Sequence, residues 1–167
     1  MDFKQFEQRM KRLHHDTPQF LKRIMYQLGE EFLNQIVEEI NRQDLIDNGG
    51  MWQSFTQGGE GNVWEFDSDR DTLTLEVGSN LGAEEGKRGY PEFVNDGYTI
   101  EKGHFVPGYF KSNGGFVYDP EAKSGFWARP RSFIGRKYFD IALKDFKGGM
   151  QALLSTLLDE EVKRRGL

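Results

Sequence analysis

The sequence contains no cysteine, and this absence removes several classes of protein at once. Disulfides, zinc–thiolate sites, iron–sulfur ligation and thiol nucleophiles all need that side chain. The sequence also has no run of about 18 apolar residues, so it predicts no membrane-spanning helix. Residues 1–13 are amphipathic and charged rather than apolar, so we predict no signal peptide and expect a soluble, intracellular protein.

Motifs for catalysis, metal binding and phosphate binding are also lacking. There is no GxSxG motif, and His104 stands alone in a glycine-rich segment. His14 and His15 are adjacent, so on a helix they point about 100° apart and cannot chelate one metal. The glycine clusters at 58–61 and 78–82 lack the Lys-Ser/Thr ending of a phosphate loop. We therefore predict no catalytic residues, no metal site and no cofactor.

The same absences predict that the protein is not an enzyme. A glycosidase-like pair of carboxylates among residues 60–101 keeps an enzyme as the least favoured alternative.

Charge is unevenly placed along the 167 residues, whose formal net charge is −5. Residues 1–42 carry seven basic and seven acidic side chains, residues 43–127 carry six and fifteen, and residues 128–167 carry nine and five. The acidic middle and the basic end are able to attract each other within one chain or between copies. The alternative is a solvated surface with no such contact. The acidic balance argues against specific nucleic-acid binding.

Both ends of the chain have helical periodicity. Apolar residues recur every three or four positions, which places them on one helix face. Thr17 and Pro18 are typical of an N-cap and a first helical residue. We therefore predict a short helix over 1–16 and a long helix over 17–43. Ser132 is a candidate cap for a C-terminal helical segment over 132–165.

The middle of the chain, residues 50–127, has the pattern of β-structure. Residues 62–67 and 72–78 alternate apolar and polar side chains around a polar connection, which predicts a hairpin. A long glycine/aromatic segment over 99–126 contains short candidate strands at 105–110, at 115–118 and around 126–127. We interpret it as a mobile excursion or, alternatively, as a hairpin folded onto the sheet.

These elements predict an α+β fold in a single domain, 1–167. Long helices at the N- and C-terminal ends would pack on a small, mostly antiparallel sheet, with the glycine/aromatic segment as a long loop or hairpin.

Aromatic residues are abundant, with 14 Phe, 6 Tyr and 3 Trp, and many of them lie in 90–127. A stacking surface for single-stranded nucleic acid or sugar is one interpretation. Basic residues there are few, namely Lys102, Lys111 and Lys123, so the electrostatic attraction that nucleic acid needs is missing. The favoured interpretation is an aromatic β-core together with contacts between subunits.

Four short segments occur in a recognisable order after the long helix. They are residues 50–55 (GMWQSF), 77–80 (VGSN), 90–98 (YPEFVNDGY) and 127–134 (WARPRSFI). These resemble the segments T-G-x-L-x-x-S-I, V-G-T/S-N, Y-A-x-Y-V-E-x-G and x-A-R-P-F-L of a phage tail-component family. The family is typified by the tenth gene product of phage HK-ninety-seven. The resemblance spans about residues 20–160.

The resemblance implies a non-enzymatic structural protein of the phage or prophage neck, acting in tail completion or head–tail joining. Such proteins form a ring, commonly a hexamer, between the head connector and the tail tube. The implied partners are further copies of the chain, the head connector or adaptor, and tail-tube or terminator proteins. The implied location is the virion neck or tail, and the host cytoplasm during assembly. No membrane partner is implied.

Two alternatives remain open. One is a tail-terminator ring protein, in the same structural class. The other, from a different class, is a carbohydrate- or peptide-binding module that uses the aromatics of 90–127.

The candidate interface residues combine the arginines near the last helix with aromatics of the middle segment. Arg129 and Pro130 are expected to fix the approach to the last helix, because proline favours extended backbone before it. The guanidinium of Arg129 suits carboxylates of the acidic middle. The full set is Arg129, Pro130, Arg131, Tyr90, Phe93, Tyr98, Phe105, Tyr109 and Phe110.

Overall fold

The computed structural model describes residues 3–45, 49–69, 72–84, 87–112 and 114–164, with side chains from residue 17 onward. The chain forms two compact units. The helical unit comprises Met1–Asn95 and Lys137–Leu167, and the sheet unit comprises Asp96–Arg136. The sheet unit is thus inserted between two stretches of the helical unit, a division that the prediction of a single domain over 1–167 did not anticipate.

Four helices and seven strands make up the described residues. In chain order they are α1 (Phe3–Arg42), α2 (Gly50–Ser54), β1 (Asn62–Ser68), β2 (Leu73–Ser79), α3 (Tyr90–Asp96), β3 (Gly97–Ile100), β4 (His104–Phe110), β5 (Phe116–Tyr118), β6 (Gly125–Ala128), β7 (Arg131–Ile134) and α4 (Tyr138–Arg164). Every strand pair is antiparallel. Helices at both ends and small antiparallel sheets between them confirm the predicted α+β class.

Helix α1 is continuous where the sequence predicted two helices. Pro18 lies inside it, so the prediction that Thr17 and Pro18 begin a second helix, separating 1–16 from 17–43, is wrong. Proline's fixed φ is compatible with helical backbone, and the interruption removes one hydrogen bond at a cost of about 3 kcal/mol. The helix beyond Pro18 is secured by burial rather than by its cap. The buried apolar positions there are Ile24, Phe32, Leu33, Ile36 and Ile40.

Helix α4 begins later than the predicted segment 132–165. Ser132 lies in β7, where its hydroxyl is 2.9 Å from that of Thr99 on β3, so the prediction that Ser132 caps the last helix is wrong. Pairing with a distant strand outweighs the local capping preference. The helix continues through Gly148 and Gly149 to Arg164. Residue 165 lies outside the described residues.

Strands β1 and β2 form the predicted hairpin. Trp64 pairs with Val77 and Phe66 pairs with Leu75, which places these side chains on the face toward α1. The ring of Tyr26 on α1 meets those of Trp64 and Phe66 edge-on, with centroids 5.5 and 5.6 Å apart. The hairpin therefore covers one side of α1, and its prediction over 62–67 and 72–78 is confirmed.

The core of the helical unit lies where α1, α4 and the short helices meet. Its buried members are Phe32, Leu33, Ile36, Ile40, Met51, Phe55, Tyr138 and Ala142. Arg23 forms an ion pair with Glu161, whereas the ring of Phe32 lies 5.6 Å from that of Phe139 and 5.0 Å from that of Phe146. These contacts run in opposite directions along the two helices, so α1 and α4 pack antiparallel.

The sheet unit contains two small sheets. One pairs β3 with β7, and the other has the order β5-β4-β6. Strands β4, β5 and β6 confirm the predicted strands at 105–110, at 115–118 and around 126–127. The segment 99–126 is therefore built of antiparallel strands, as the hairpin interpretation expected. Its aromatic side chains are mainly exposed instead of buried in a core.

Candidate functional site

Two of the segments that carry the family resemblance meet in a polar cluster of the helical unit. Ser79 Oγ donates to Ser54 Oγ at 2.7 Å, and Ser54 Oγ donates to the Met51 carbonyl at 2.8 Å. Asn62 Nδ2 donates to the carbonyls of Ser54, at 3.1 Å, and Gly78, at 3.2 Å. Ser54 is fully buried, and its hydroxyl is both donor and acceptor. The cluster is a structural joint between α2 and the hairpin, because a buried polar group must keep its partners.

A third such segment, residues 90–98, holds the start of α4. Asn95 is 9% exposed, and its Oδ1 accepts a hydrogen bond from the Phe139 N–H at 3.0 Å. Its carbonyl accepts one from the Lys137 N–H at 2.9 Å. Tyr138 donates its hydroxyl to the Pro91 carbonyl at 3.1 Å. Asn95 thus supplies an acceptor to the first turn of α4, where helical N–H groups have no partner within the helix.

The candidate interface residues are all exposed. Two of them, Tyr90 and Phe93, lie on α3 of the helical unit. The others belong to the sheet unit: Tyr98, Phe105, Tyr109, Phe110, Arg129, Pro130 and Arg131. The structure therefore makes each of them accessible, and their role in assembly stays a prediction. The structure thus places seven of the nine candidate residues on one unit, the sheet unit.

On the β3–β7 ribbon, aromatic and cationic side chains stack on one face. Tyr98 pairs with Phe133 across the two strands, and their rings stack with centroids 4.5 Å apart. The guanidinium of Arg131 lies 4.9 Å from the centroid of the Phe133 ring. Such a cation–π contact contributes about 0.5–1 kcal/mol at an exposed site. The ribbon thus presents a flat apolar surface with a cation on it.

The three-stranded sheet presents aromatics on both faces. On one face the rings of Phe110, Phe116 and Phe126 lie within 4.9–6.1 Å of one another. On the other face Phe105 pairs with Trp127, with ring centroids 6.4 Å apart. This second face, which we call the Trp127 face, also carries Pro107 and Tyr109, two and four residues along β4 from Phe105. Trp127 is 69% exposed, so the Trp127 face is open to a partner.

Sequence reasoning missed the most exposed apolar side chains. Ile134 is 92% exposed, and Trp127, Tyr118 and Phe133 are exposed as well, yet none was named as an interface residue. Each stands in a short strand with no polar alternation to mark its solvent side. The signal that could have found Trp127 is its position opposite Phe105. That position can be assigned only once the register between β4 and β6 is known.

The Arg129-Pro130 pair has a different place from the one predicted. It joins β6, which ends at Ala128, to β7, which begins at Arg131, and does not lead directly into the last helix. Proline has no N–H to donate to a ladder, so pairing with one sheet stops there and resumes with the other. Arg129 is exposed, and no ion pair to it occurs among the residues that the structure describes. Its expected carboxylate partner is therefore not found within the described part of the chain.

The chemistry available to this surface is that of recognition. It offers apolar area, aromatic faces and cations. Within the ranges described, no group of three or more His, Asp or Glu side chains is arranged to hold a metal ion. His14 and His15 precede the residues whose side chains are described. None of the described helices is long and apolar enough to cross a membrane.

Comparison with known proteins identifies two relatives, one of them named for a phage-like element. The chain is 31% identical over 144 residues to the phage-like element PBSX protein XkdI of Bacillus subtilis (strain 168), covering 85% of this chain and 83% of that protein. It is 34% identical over 127 residues to the uncharacterized protein YqbI of the same organism, covering 72% of this chain and 70% of that protein. No protein-family model matches the chain, and no solved structure matches it.

These likenesses define a class of phage and prophage proteins. The chain belongs to the family of XkdI, since the two are more than 30% identical over most of both lengths.

Proposed function

We propose that the protein is a structural component of the neck of a phage or prophage particle, acting in tail completion or head–tail joining. The observation that carries this proposal is its membership of the XkdI family, whose named member belongs to a phage-like element. The ordered segments that resemble the tail-component family support the finer role. In this role the protein is not an enzyme, and it is located in the virion after assembly in the host cytoplasm.

A ring of identical copies is the assembly that we propose. In a ring, one surface of each copy meets a different surface of the next. The sheet unit supplies a suitable surface, because large exposed apolar patches mark interaction sites. The further partners are the head connector or adaptor on one side and tail-tube or terminator proteins on the other. A chain of net charge −5 would not hold passing DNA tightly.

Deletion of the gene from an inducible prophage tests the proposal. Electron microscopy of the induced lysate should show filled heads and tails of normal length that do not join. Expression of the wild-type chain from a plasmid should restore joined particles. Joined particles at the wild-type frequency in the deletion strain would refute the neck role.

Tail length in the same lysates separates the two structural roles. Loss of a tail-terminator ring leaves the tube uncapped, so tails should overgrow. Tails of normal length that remain unjoined support tail completion. Overgrown tails would move the assignment to the tail-terminator alternative.

A carbohydrate- or peptide-binding module is the second candidate, and the exposure of Trp127 beside Phe105 favours it. Aromatic faces of this kind stack on sugar rings as readily as on a protein partner. Titration of the purified protein with cell-wall glycans, followed by tryptophan fluorescence, distinguishes the two. Saturable binding that is lost in Trp127→Ala, together with absence of the protein from particles, would favour the module.

A further inference from the structure

The sheet unit has almost no core of its own. Among its described residues only Gly108 and Ala128 are buried. The unit has only 41 residues, and even a 60-residue domain is marginal, because it buries only about 60% of the surface that its unfolded chain exposes. The chain has no cysteine, and the described residues include no metal cluster. The exposed aromatics of this unit therefore need a cover.

The helical unit has an open apolar groove of about 410 Å³ between α1, β2 and α4. This volume is within the roughly 300–1,000 Å³ that concave binding sites span. Its apolar lining includes Met25 of α1, Leu75 and Val77 of β2, and Met150 of α4. One charged residue, Glu76, completes the lining. An aromatic side chain is the kind of group that such a groove accepts.

The charged residue of the groove lining, Glu76, is a carboxylate. Glu76 stands directly opposite Glu65 in the β1–β2 pair, and both side chains are exposed. Like charges directly opposite each other destabilise a strand pair. Asp67 lies two residues further along β1 and so on the same face. Of these three carboxylates only Glu76 belongs to the groove lining, so a partner that brings a cation to Glu76 is the favoured one.

The sheet unit is such a basic partner. It carries six Lys or Arg and four Asp or Glu, whereas the rest of the chain carries sixteen and twenty-three. Arg129 follows Trp127 by two residues, is exposed, and makes no ion pair among the described residues. The Trp127 face therefore offers an aromatic ring and a nearby cation to a groove that is apolar apart from Glu76.

We propose that the Trp127 face of one copy docks into the groove of the next copy, with Arg129 brought to Glu76. The occupant of the groove is a second copy of this chain. The contact is heterologous, because different surfaces meet, and repetition of a heterologous contact closes a ring or extends a filament. The closure of this contact into a ring rests on the proposed function. The crosslinking test of the contact does not depend on that function.

Photo-crosslinking places the contact. p-Benzoylphenylalanine in place of Trp127 keeps an aromatic side chain there and reacts preferentially with methionine. Met25 and Met150 line the groove, and Met150 is 41% exposed. The variant is mixed at high concentration with ¹⁵N-labelled wild-type protein and irradiated. Mass spectrometry should find light peptides joined to heavy peptides that contain Met25 or Met150.

A matched control uses the same amino acid at Tyr118, which is exposed on the edge strand β5. It should give no more than one tenth of the groove crosslink. In addition, Arg129→Glu should reduce the Trp127 crosslink several-fold, and mixing it with Glu76→Arg should restore it.

The results that would overturn the proposal are distinct. Crosslinks only within light chains mean that the groove is filled by the same copy. Crosslinks outside the groove, or none, mean that a second copy does not dock there. Particles that contain the protein while the purified chain gives no groove crosslink would leave the neck role standing and refute this contact. A groove crosslink with the protein absent from particles would refute the neck role alone.

Discussion

Gly29 on α1 is the position at which helix propensity and packing disagree most clearly. Alanine is favoured over glycine in a helix by about 1 kcal/mol. A Cβ at Gly29, however, would lie 2.7 Å from Leu75 Cδ2, 3.1 Å from Trp64 Cη2 and 3.2 Å from Val77 Cγ1. The Leu75 tip is able to rotate, but the Trp64 ring is held by its contact with Tyr26. Overpacking of this kind costs about 1–3 kcal/mol.

Gly29→Ala should therefore lower the free energy of unfolding by about 0–2 kcal/mol, the overpacking cost less the gain in propensity. Gly148→Ala on α4 is the matched control, because nothing lies within 4 Å of its added Cβ. It should raise the free energy of unfolding by about 1 kcal/mol. The gap between the two variants isolates the packing cost and corresponds to roughly 2–12 °C in Tm.

Urea denaturation followed by circular dichroism at 222 nm measures both variants, since α1 and α4 dominate that signal. In a Leu75→Val background, which removes Cδ2, the penalty of Gly29→Ala should shrink. If Gly29→Ala stabilises the protein as much as Gly148→Ala does, the close approach of α1 and the hairpin is not as described.

Three further predictions concern single residues. Asn95→Ala should lower stability by about 1–3 kcal/mol, because the Phe139 N–H and Asp140 lose a buried partner; an unchanged urea midpoint would contradict this. Pro18→Ala should increase amide protection in the first half of α1, since it restores a hydrogen bond and removes a clash of up to about 3 kcal/mol; protection equal to that of the wild type would show that Pro18 does not weaken the helix. Arg129→Ala should keep the wild-type far-ultraviolet spectrum and urea midpoint but join heads to tails poorly; joining at wild-type efficiency would refute a role for Arg129 in assembly.

Local pattern in the sequence was enough for most elements. The hairpin of β1 and β2, the strands β4 to β6 and the helical ends all follow from side-chain periodicity, because a regular element places its apolar residues at its own repeat. The α+β class follows from the same elements. The exposure of the aromatics of 90–127 did not follow from pattern, since the favoured interpretation placed them in a β-core as well as in contacts between subunits.

Long-range contacts decided the rest. Thr17 and Pro18 are typical of a helix start, yet α1 runs through them. The apolar residues that follow on α1 are buried against α4 and the hairpin, and this burial keeps the helix continuous. Ser132 is of a residue type that often caps a helix, yet it lies in β7 and pairs with Thr99 of β3. The division into two units depends on which distant segments share hydrogen bonds, and Gly29 is a packing position only because Leu75 and Trp64 reach it. None of these distances is encoded in the spacing of neighbouring residues, so only the tertiary structure decides them.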